Sequence, residues 1–453
     1  MRFYKRYNSV FYAFIFTGEV HMAKDTVKAG LIGFGTIGTG VVKLFKNSAE
    51  LINTKSGIKV ELVKVCDLDI KRDRGVKLAP GMLTTNVNDI IENPEIDIVI
   101  ELMGGYKPAL DFVTRALKNG KRVVTANKAL ISKYWEEISA ASKEGDAEIM
   151  AEASVGGGIP ILRGLDKGLA ANKIEKIMAI LNGTCNYILT KMTVDKMSFD
   201  AALKEAQQKG FAEADPTLDI EGFDTMHKIT VLSRMSFGKG IKHEDIHVEG
   251  IKGIDYTDIK YGQEMGYVMK LLAIAQRCKE GINVRVHPVF VPQMNLLASV
   301  NYEYNAIFVR GDAVGDTLFY GKGAGELPTA SAVLSDVIYI ARNMASGAKH
   351  VRYASKAKTE KIKVLPIGET VNRYYIRFNV VDKAGVMGEI TGVLGKHNIS
   401  IASVIQKEQN QHSKVPVVFM TYAAKEADVI KALKAIDKLA IVKEKTVMYR
   451  VIE

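Results

Sequence analysis

From Val27 onward, short apolar runs alternate with longer amphipathic stretches. VKAGLIGFGTIGTGVVKLF reads as a buried strand, a glycine turn and a helix. VELVKVCD, IDIVIELM and KRVVTANK are further apolar strands that end near Asp67, Met103 and Lys128, and PALDFVTRALKNG is a helix between the last two. Strands that alternate with helices predict a parallel sheet with right-handed crossovers, a Rossmann-type α/β domain over residues 22–150. Past EASVGGGIPILRGLD the texture shifts to longer helices and fewer alternating strands, which predicts an α+β domain over 151–320. GKGAGELPTASAVLSDVIYIARN is a glycine-rich turn followed by an apolar helix, and residues 321–352 are expected to return to the first domain. The lysine-rich piece SKAKTEKIKVLP marks a linker over 353–370, and a third, small module occupies 371–453. Tyr374 and Tyr375 alternate faces of that module's first strand and read as packing residues.

Composition narrows the class. A chain of 453 residues, 47% hydrophobic and 25% charged, is a soluble globular protein of two or three domains. The formal charge of +11 is spread along the chain rather than gathered into a basic block, so no nucleic-acid partner is expected. Cys66, Cys185 and Cys278 lie far apart with no CxxC, which argues against a disulfide framework and a thiolate zinc site and sets a reducing cytoplasm as the expectation. The apolar run Val10 to Phe16 is too short to span a bilayer and no AxA-like cleavage site follows it. Residues 1–21 are therefore expected to be a non-structural extension, and no membrane partner is expected.

GFGTIG, comprising Gly33, Phe34, Gly35, Thr36, Ile37 and Gly38, follows a strand and opens a helix. The first glycine allows the tight turn, the second lets amides approach a pyrophosphate, and the third lets helix and strand pack closely. Phosphate would then rest on the helix N-terminus, where unpaired N–H groups and the dipole favour it. Asp67 at the end of the second strand suits the ribose of NAD, whereas Lys71 and Arg72 suit the 2′-phosphate of NADP; the cofactor is read as NAD or NADP.

GFAEADPTLDIEGFDTMHK, residues 210–228, carries Glu213, Asp215, Asp219, Glu221 and Asp224 and ends on Lys228. ADPTLDIEG lacks the spacing of a calcium loop, and a solvated loop is the ordinary fate of Glu221. On a helix, Asp224 and Lys228 would share one face. An ammonium there can stabilise a developing alkoxide and deliver its proton, and a second lysine nearby would lower its pKa by like-charge repulsion. Lys128 is expected at the carboxyl edge of the sheet, where cofactor and substrate meet. His227 points away from its neighbour and reads as structural.

Taken in order, GFGTIGTG, TANKAL, EASVGGGIP, LNGTCNYIL, GFAEADPTLDIEGFDTMHK and GKGAG resemble the homoserine dehydrogenase family along residues 27 to about 345. The resemblance implies Lys228 as catalytic acid/base, Lys128 as the second active-site lysine, also in contact with the cofactor, and Asp224 as their carboxylate partner. Glu213, Asp224 and Gly210 would bind substrate, Gly325 would contact the cofactor, and the main-chain oxygens of Glu152, Val155, Gly157 and Ile159 would hold a sodium ion. The implied reaction interconverts L-aspartate 4-semialdehyde and L-homoserine with NAD(P).

The third module resembles an ACT domain, a ferredoxin-like βαββαβ fold, through VDKAGVMGEITGVLGKHNISIASVIQ; Asp382 to Gly388 would form its ligand turn. The resemblance implies threonine as effector and a homodimer or homotetramer, with simple dimerisation as the alternative role for the module. Two other readings compete: an acylating semialdehyde dehydrogenase with Cys185 as thiolate nucleophile, and a non-catalytic sensor of cofactor and amino acid.

Overall fold

A computed structural model describes residues 24–238, 240–347, 362–407 and 414–452. The extension expected at 1–21 and the first half of the expected linker, 353–361, lie outside the described residues. The first region runs β1 (Thr26–Ile32), α1 (Thr36–Asn47), α2 (Ala49–Ser56), β2 (Lys59–Cys66), β3 (Leu83–Thr84), α3 (Asn88–Ile91), β4 (Ile98–Glu101), α4 (Ala109–Lys118), β5 (Arg122–Thr125), α5 (Lys128–Lys133), α6 (Trp135–Glu144) and β6 (Ile149–Met150). Its six strands form one parallel sheet in the order β3-β2-β1-β4-β5-β6, with apolar clusters on both faces. Strands covered on both sides are the near-continuous apolar runs that the sequence displays. The order reverses beside β1, so the carboxyl ends of β1 and β4 flank a crevice of the kind that takes ligands in doubly wound sheets.

The second region contains α7 (Ile161–Arg163), β7 (Ile174–Ile180), α8 (Gly183–Val194), α9 (Phe199–Gln208), α10 (Thr217–Ile220), α11 (Phe223–Phe237), β8 (His247–Val248), α12 (Tyr256–Glu264), β9 (Tyr267–Cys278), β10 (Gly281–Pro292), β11 (Tyr304–Gly311) and β12 (Gly315–Lys322). It is richer in strand than its texture predicts: β9 and β10 pair antiparallel along their whole length, and β10 is buried at all but its two terminal residues. β9 is a near-continuous apolar run whose period cannot distinguish a strand from a buried helix, whereas Ile282 to His287 of β10 alternate apolar and polar, a strand signal that the sequence reading passed over.

α13 (Glu326–Ala345) then returns to the first region, where Ala330, Val333 and Val337 join the core of Val27, Val41 and Val42. The last module is β13 (Val371–Val380), α14 (Val386–Lys396), β14 (Ile401–Gln406), β15 (Val415–Thr421), β16 (Ala424–Lys425), α15 (Glu426–Ile436) and β17 (Val442–Val451), which is the expected βαββαβ order with one short added strand. It does not stand apart. β17 pairs parallel with β10 at Val289↔Arg450 and Phe290↔Val451, and one 11-stranded sheet runs through both regions. Of the stretch read as linker, Lys363 and Leu365 hydrogen-bond to Ile282 at the start of β10. Tyr374 and Tyr375 are both fully buried, in the apolar clusters on opposite faces of this sheet. Among the described residues no helix is long and apolar enough to cross a membrane.

Candidate active site

The glycine turn divides its labour as the spacing predicts. Gly33 has φ +97°, and a Cβ there would lie 2.7 Å from the Leu102 carbonyl carbon. A Cβ on Gly38 would lie 2.2 Å from the Gly33 carbonyl oxygen, so helix and turn touch. Gly35, at the N-cap of α1, faces open space, which leaves the amides of the first helical turn accessible to an anion. Asp67 braces this turn: one carboxylate oxygen accepts the Phe34 amide at 2.6 Å and the other accepts the Asp69 amide at 2.8 Å. Arg74, which the sequence reading passed over, lies 3.3 Å from Asp67, donates to the Phe34 carbonyl and covers the Phe34 ring at 4.7 Å. Lys71 and Arg72 are exposed beside it. Gly325, with φ +118°, starts α13 against α1, where Glu326 meets Lys43 at 2.7 Å.

Lys128 is the first residue of α5, whose N-cap Asn127 accepts the Leu130 amide at 3.0 Å. Opposite it stands α11, entered through Gly222 at φ +86°, with Asp224 and Lys228 one turn apart on the same face. Lys228 Nζ donates to Asp224 at 2.6 Å and to the Leu181 carbonyl at 2.7 Å. Lys128 Nζ reaches the other Asp224 oxygen at 3.3 Å. Asn182 caps α8 and donates to both Asp224, at 2.9 Å, and Asp219, at 2.7 Å. Sequence reasoning missed Asn182 and gave Asp219 no role. The available signal was an asparagine at the head of an apolar helix, where a cap is expected.

Electrostatics follow from this packing. Burial would raise the Asp224 carboxyl, but the charges of Lys228 and Lys128 hold it well below the usual range. Asp224 in turn raises Lys128, against the opposing effect of burial, with smaller help from Asp219 and Glu213. A carboxylate thus bridges the two lysines. Burial, then the Asp224 charge, raises the Asp219 carboxyl. Glu213 lies on an exposed loop that leaves α9 through Gly210 at φ +75°.

The other candidates sort themselves by environment. His227 turns away from the lysines and sits 2.6 Å from the Ser132 hydroxyl on α5; burial, then His243, depresses it to about 4, so it is neutral. Cys185 is wholly buried, its thiol donating to the Asp219 carbonyl at 3.1 Å, and burial raises its pKa far from that of a nucleophilic thiolate.

In the EASVGGGIP loop the Glu152 carboxylate accepts the Leu162 and Arg163 amides, both at 2.8 Å, while the Glu152 amide donates to Asp336. Burial pushes Asp336 up to about 7 despite that amide and Arg163. Gly156 and Gly157 are both left-handed, and a Cβ on Gly157 would lie 2.5 Å from Gly323 backbone. The Ile159 carbonyl accepts the Ile161 amide at 2.8 Å. Among the described residues no three His, Cys, Asp or Glu side chains gather as a metal centre, so a cation in this loop would depend on main-chain oxygens.

Comparison with known proteins gives one answer. Residues 160–338 match the family model described as homoserine dehydrogenase, 33–152 the homoserine dehydrogenase NAD-binding domain, and 374–441 the ACT domain. The homoserine dehydrogenase of Bacillus subtilis is 39% identical over 94% of this chain and 98% of its own length. That of Synechocystis is 41% identical over 94% of this chain and 100% of its own. The crystal structure of a homoserine dehydrogenase from Thiobacillus denitrificans superposes with a TM-score of 0.90 at 40% identity, covering 94% of this chain and 98% of that one. A hyperthermophilic archaeal homoserine dehydrogenase in complex with NADPH superposes with a TM-score of 0.59 at 26% identity, covering 69% of this chain and 97% of that one. The chain belongs to the homoserine dehydrogenase family, as an NAD(P)-dependent oxidoreductase with a C-terminal ACT domain, and neither the thioester route nor the sensor reading describes it.

Proposed function

We propose that Lys228 is the acid/base of homoserine–aspartate semialdehyde interconversion, with Asp224 and Lys128 holding it and the substrate. One observation carries the reading. An ammonium has three donors, and two of those on Lys228 go to Asp224 and the Leu181 carbonyl. The third is left for the substrate carbonyl oxygen. In the reducing direction that N–H stabilises and then protonates the alkoxide; in the oxidising direction the neutral amine takes the hydroxyl proton. Reduced nicotinamide, when bound, supplies the hydride. Gly33 to Gly38, Asp67 and Gly325 would hold the cofactor, with Lys71, Arg72 and Arg74 within the same strand-end segment for a 2′-phosphate, as befits similarity to an NADPH-bound relative. Glu213 and Asp224 carry the charge to meet the substrate ammonium, beside the backbone of Gly210. Main-chain oxygens of Glu152, Val155, Gly157 and Ile159 would take a sodium ion, a role that the left-handed glycines of that loop suit.

The proposal extends to organisation and control. Residues 22–150 with 321–352 would form the cofactor domain, 151–320 the catalytic and dimerisation domain, and 371–453 the ACT domain of a homodimer or homotetramer. Threonine would bind at Asp382–Gly388, where Gly385 at φ +95° opens α14 and the turn is exposed. For inhibition, threonine must favour one quaternary arrangement over another.

Nicotinamide absorbance with homoserine tests both parts. Lys228→Ala is expected to lower kcat on the order of 10³-fold with the fold kept. An undiminished rate would remove Lys228 from the chemistry. Rates with NADH and NADPH, each with and without threonine, set the cofactor and the effector; a rate indifferent to threonine would end the feedback reading.

A further inference from the structure

Glu101 ends β4 with a side chain that has no exposed surface. Burial raises its carboxyl, and the groups that oppose this are all hydrogen-bond donors: Thr125, the Met103 and Gly104 amides, and Asn127. A buried carboxylate held by neutral donors alone is costly and adds nothing to an apolar core. Its surroundings give it a different use. One oxygen accepts the Met103 amide at 2.8 Å and the other accepts the Thr125 hydroxyl, opposite it on β5, at 2.7 Å. The same Thr125 oxygen accepts the Asn127 amide at 2.9 Å. Asn127 donates to the Gly105 carbonyl at 2.8 Å and caps the helix that begins with Lys128. Gly104 and Gly105, both left-handed, form the turn that follows β4 at the carboxyl edge of the sheet.

We propose that Glu101 is a positioning residue: its carboxylate ties the Gly104–Gly105 turn to the β5–α5 turn and thereby fixes the Lys128 ammonium against Asp224. This rests on the place given above to Lys128 in the active site. Nothing in Glu101 touches the ammonium itself. Its effect passes through Thr125 and Asn127, along three hydrogen bonds that set where α5 starts. Outer-shell hydrogen bonds that orient metal ligands are worth about 10- to 100-fold in activity, and a support one step removed from an ammonium is expected to act on the same scale.

A double-mutant cycle with full-length protein tests it. Homoserine kcat and KM are measured for Glu101→Gln, Thr125→Val, Lys128→Ala and the two pairs with Lys128→Ala, alongside thermal unfolding. The expected result is a kcat/KM loss of about 10-fold or more for Glu101→Gln and for Thr125→Val, carried mainly by homoserine KM. Both losses should vanish once Lys128 is alanine. Should kcat in Lys128→Ala be too small to follow, homoserine binding to the NADP+ complex by calorimetry closes the same cycle. If Glu101→Gln does not accumulate as folded protein, Thr125→Val carries both arms. Parental kinetics for either single variant, or losses that persist undiminished beside Lys128→Ala, overturn the proposal. Parental activity of Lys128→Ala alone would instead remove Lys128 from the site.

Discussion

Two buried clusters in this molecule are assembled from the same parts and end in opposite states. At the proposed active site, Asp224 lies between Lys228 and Lys128. At the joint between the ACT domain and the rest of the chain, Arg450 on β17 lies between Glu249 and Glu426. Its Nε donates to Glu426 at 2.7 Å, Nη1 and Nη2 each donate to Glu249 at 2.9 Å, and Nη2 also meets Glu426, so both carboxylates are gripped in fork geometry. Asp258 on α12 repeats the device, accepting from Arg377 at 2.6 and 2.9 Å and from Tyr375 at 2.8 Å. The Arg450 side chain is 2% exposed, whereas Lys128 keeps 41%. A saturated cluster can only hold. One with donors left over, facing a crevice, can also act, and lysine rather than arginine lets it release a proton.

Asp224→Asn should divide the two clusters most sharply. Without its charge the lysines lose their shared anchor, and kcat/KM for homoserine should fall on the order of 10²- to 10³-fold. Some stability should be lost as well, because a carboxyl held below its usual range stabilises the folded state by its charge, although Lys228 keeps the Leu181 carbonyl and Lys128 is 41% exposed to water. An Asp224→Asn enzyme with parental kinetics and a collapsed unfolding midpoint would make the active-site cluster a mere joint.

Arg450→Met is the converse and the next in size. It strands the Glu426 carboxylate, itself 2% exposed, and breaking a buried pair from one side costs about 3–5 kcal/mol. Glu249, partly open to water, can recover some hydration. Urea unfolding is the measure, with activity per folded molecule expected at the parental level in the absence of an effector. A stability loss below about 1 kcal/mol would put Arg450 among ordinary surface pairs.

This contrast also marks where sequence reasoning stops. The glycine turn, the strand-helix alternation and the four-residue step from Asp224 to Lys228 are local patterns, and local periods and caps are legible in one chain. The spacing also placed Lys128 at the sheet edge, because strand ends and sheet edges coincide in parallel sheets. Arg450 and Glu249 are 201 residues apart, and nothing local to VMYRVIE or HVEG announces their meeting. The β10–β17 pairing was equally hidden, since the period of a strand marks its faces and not its partner. Asn182 was missed for another reason. Its role as a cap was readable, but its second use, bridging Asp219 and Asp224 through its amide nitrogen, depends on how α8 and α11 converge.

The smallest expected effect sharpens the comparison from the active-site side. His227 ties α11 to α5 through Ser132, so the helices bearing Lys228 and Lys128 are joined by a titratable group as well as by Asp224. The groups that face it are His243, Lys128 and Lys133, which oppose its protonation, and Asp224, which favours it, but burial is the largest influence. Its folded value is about 4 against an ordinary 6.5, so between those limits the unfolded chain binds more protons than the folded one. Stability from this residue is therefore fully present above 6.5 and is lost as pH falls through 4. His227→Asn cannot titrate. The parent-minus-variant difference in unfolding free energy should be flat above that window and shrink steadily within it, by an amount that partial solvation at the ring keeps modest. A difference that stays constant down to pH 4 would mean that the ring is solvated in the folded enzyme. Among the described residues Asp224 and the Arg234 bond to the Ile131 carbonyl would then be left as the polar ties between α5 and α11.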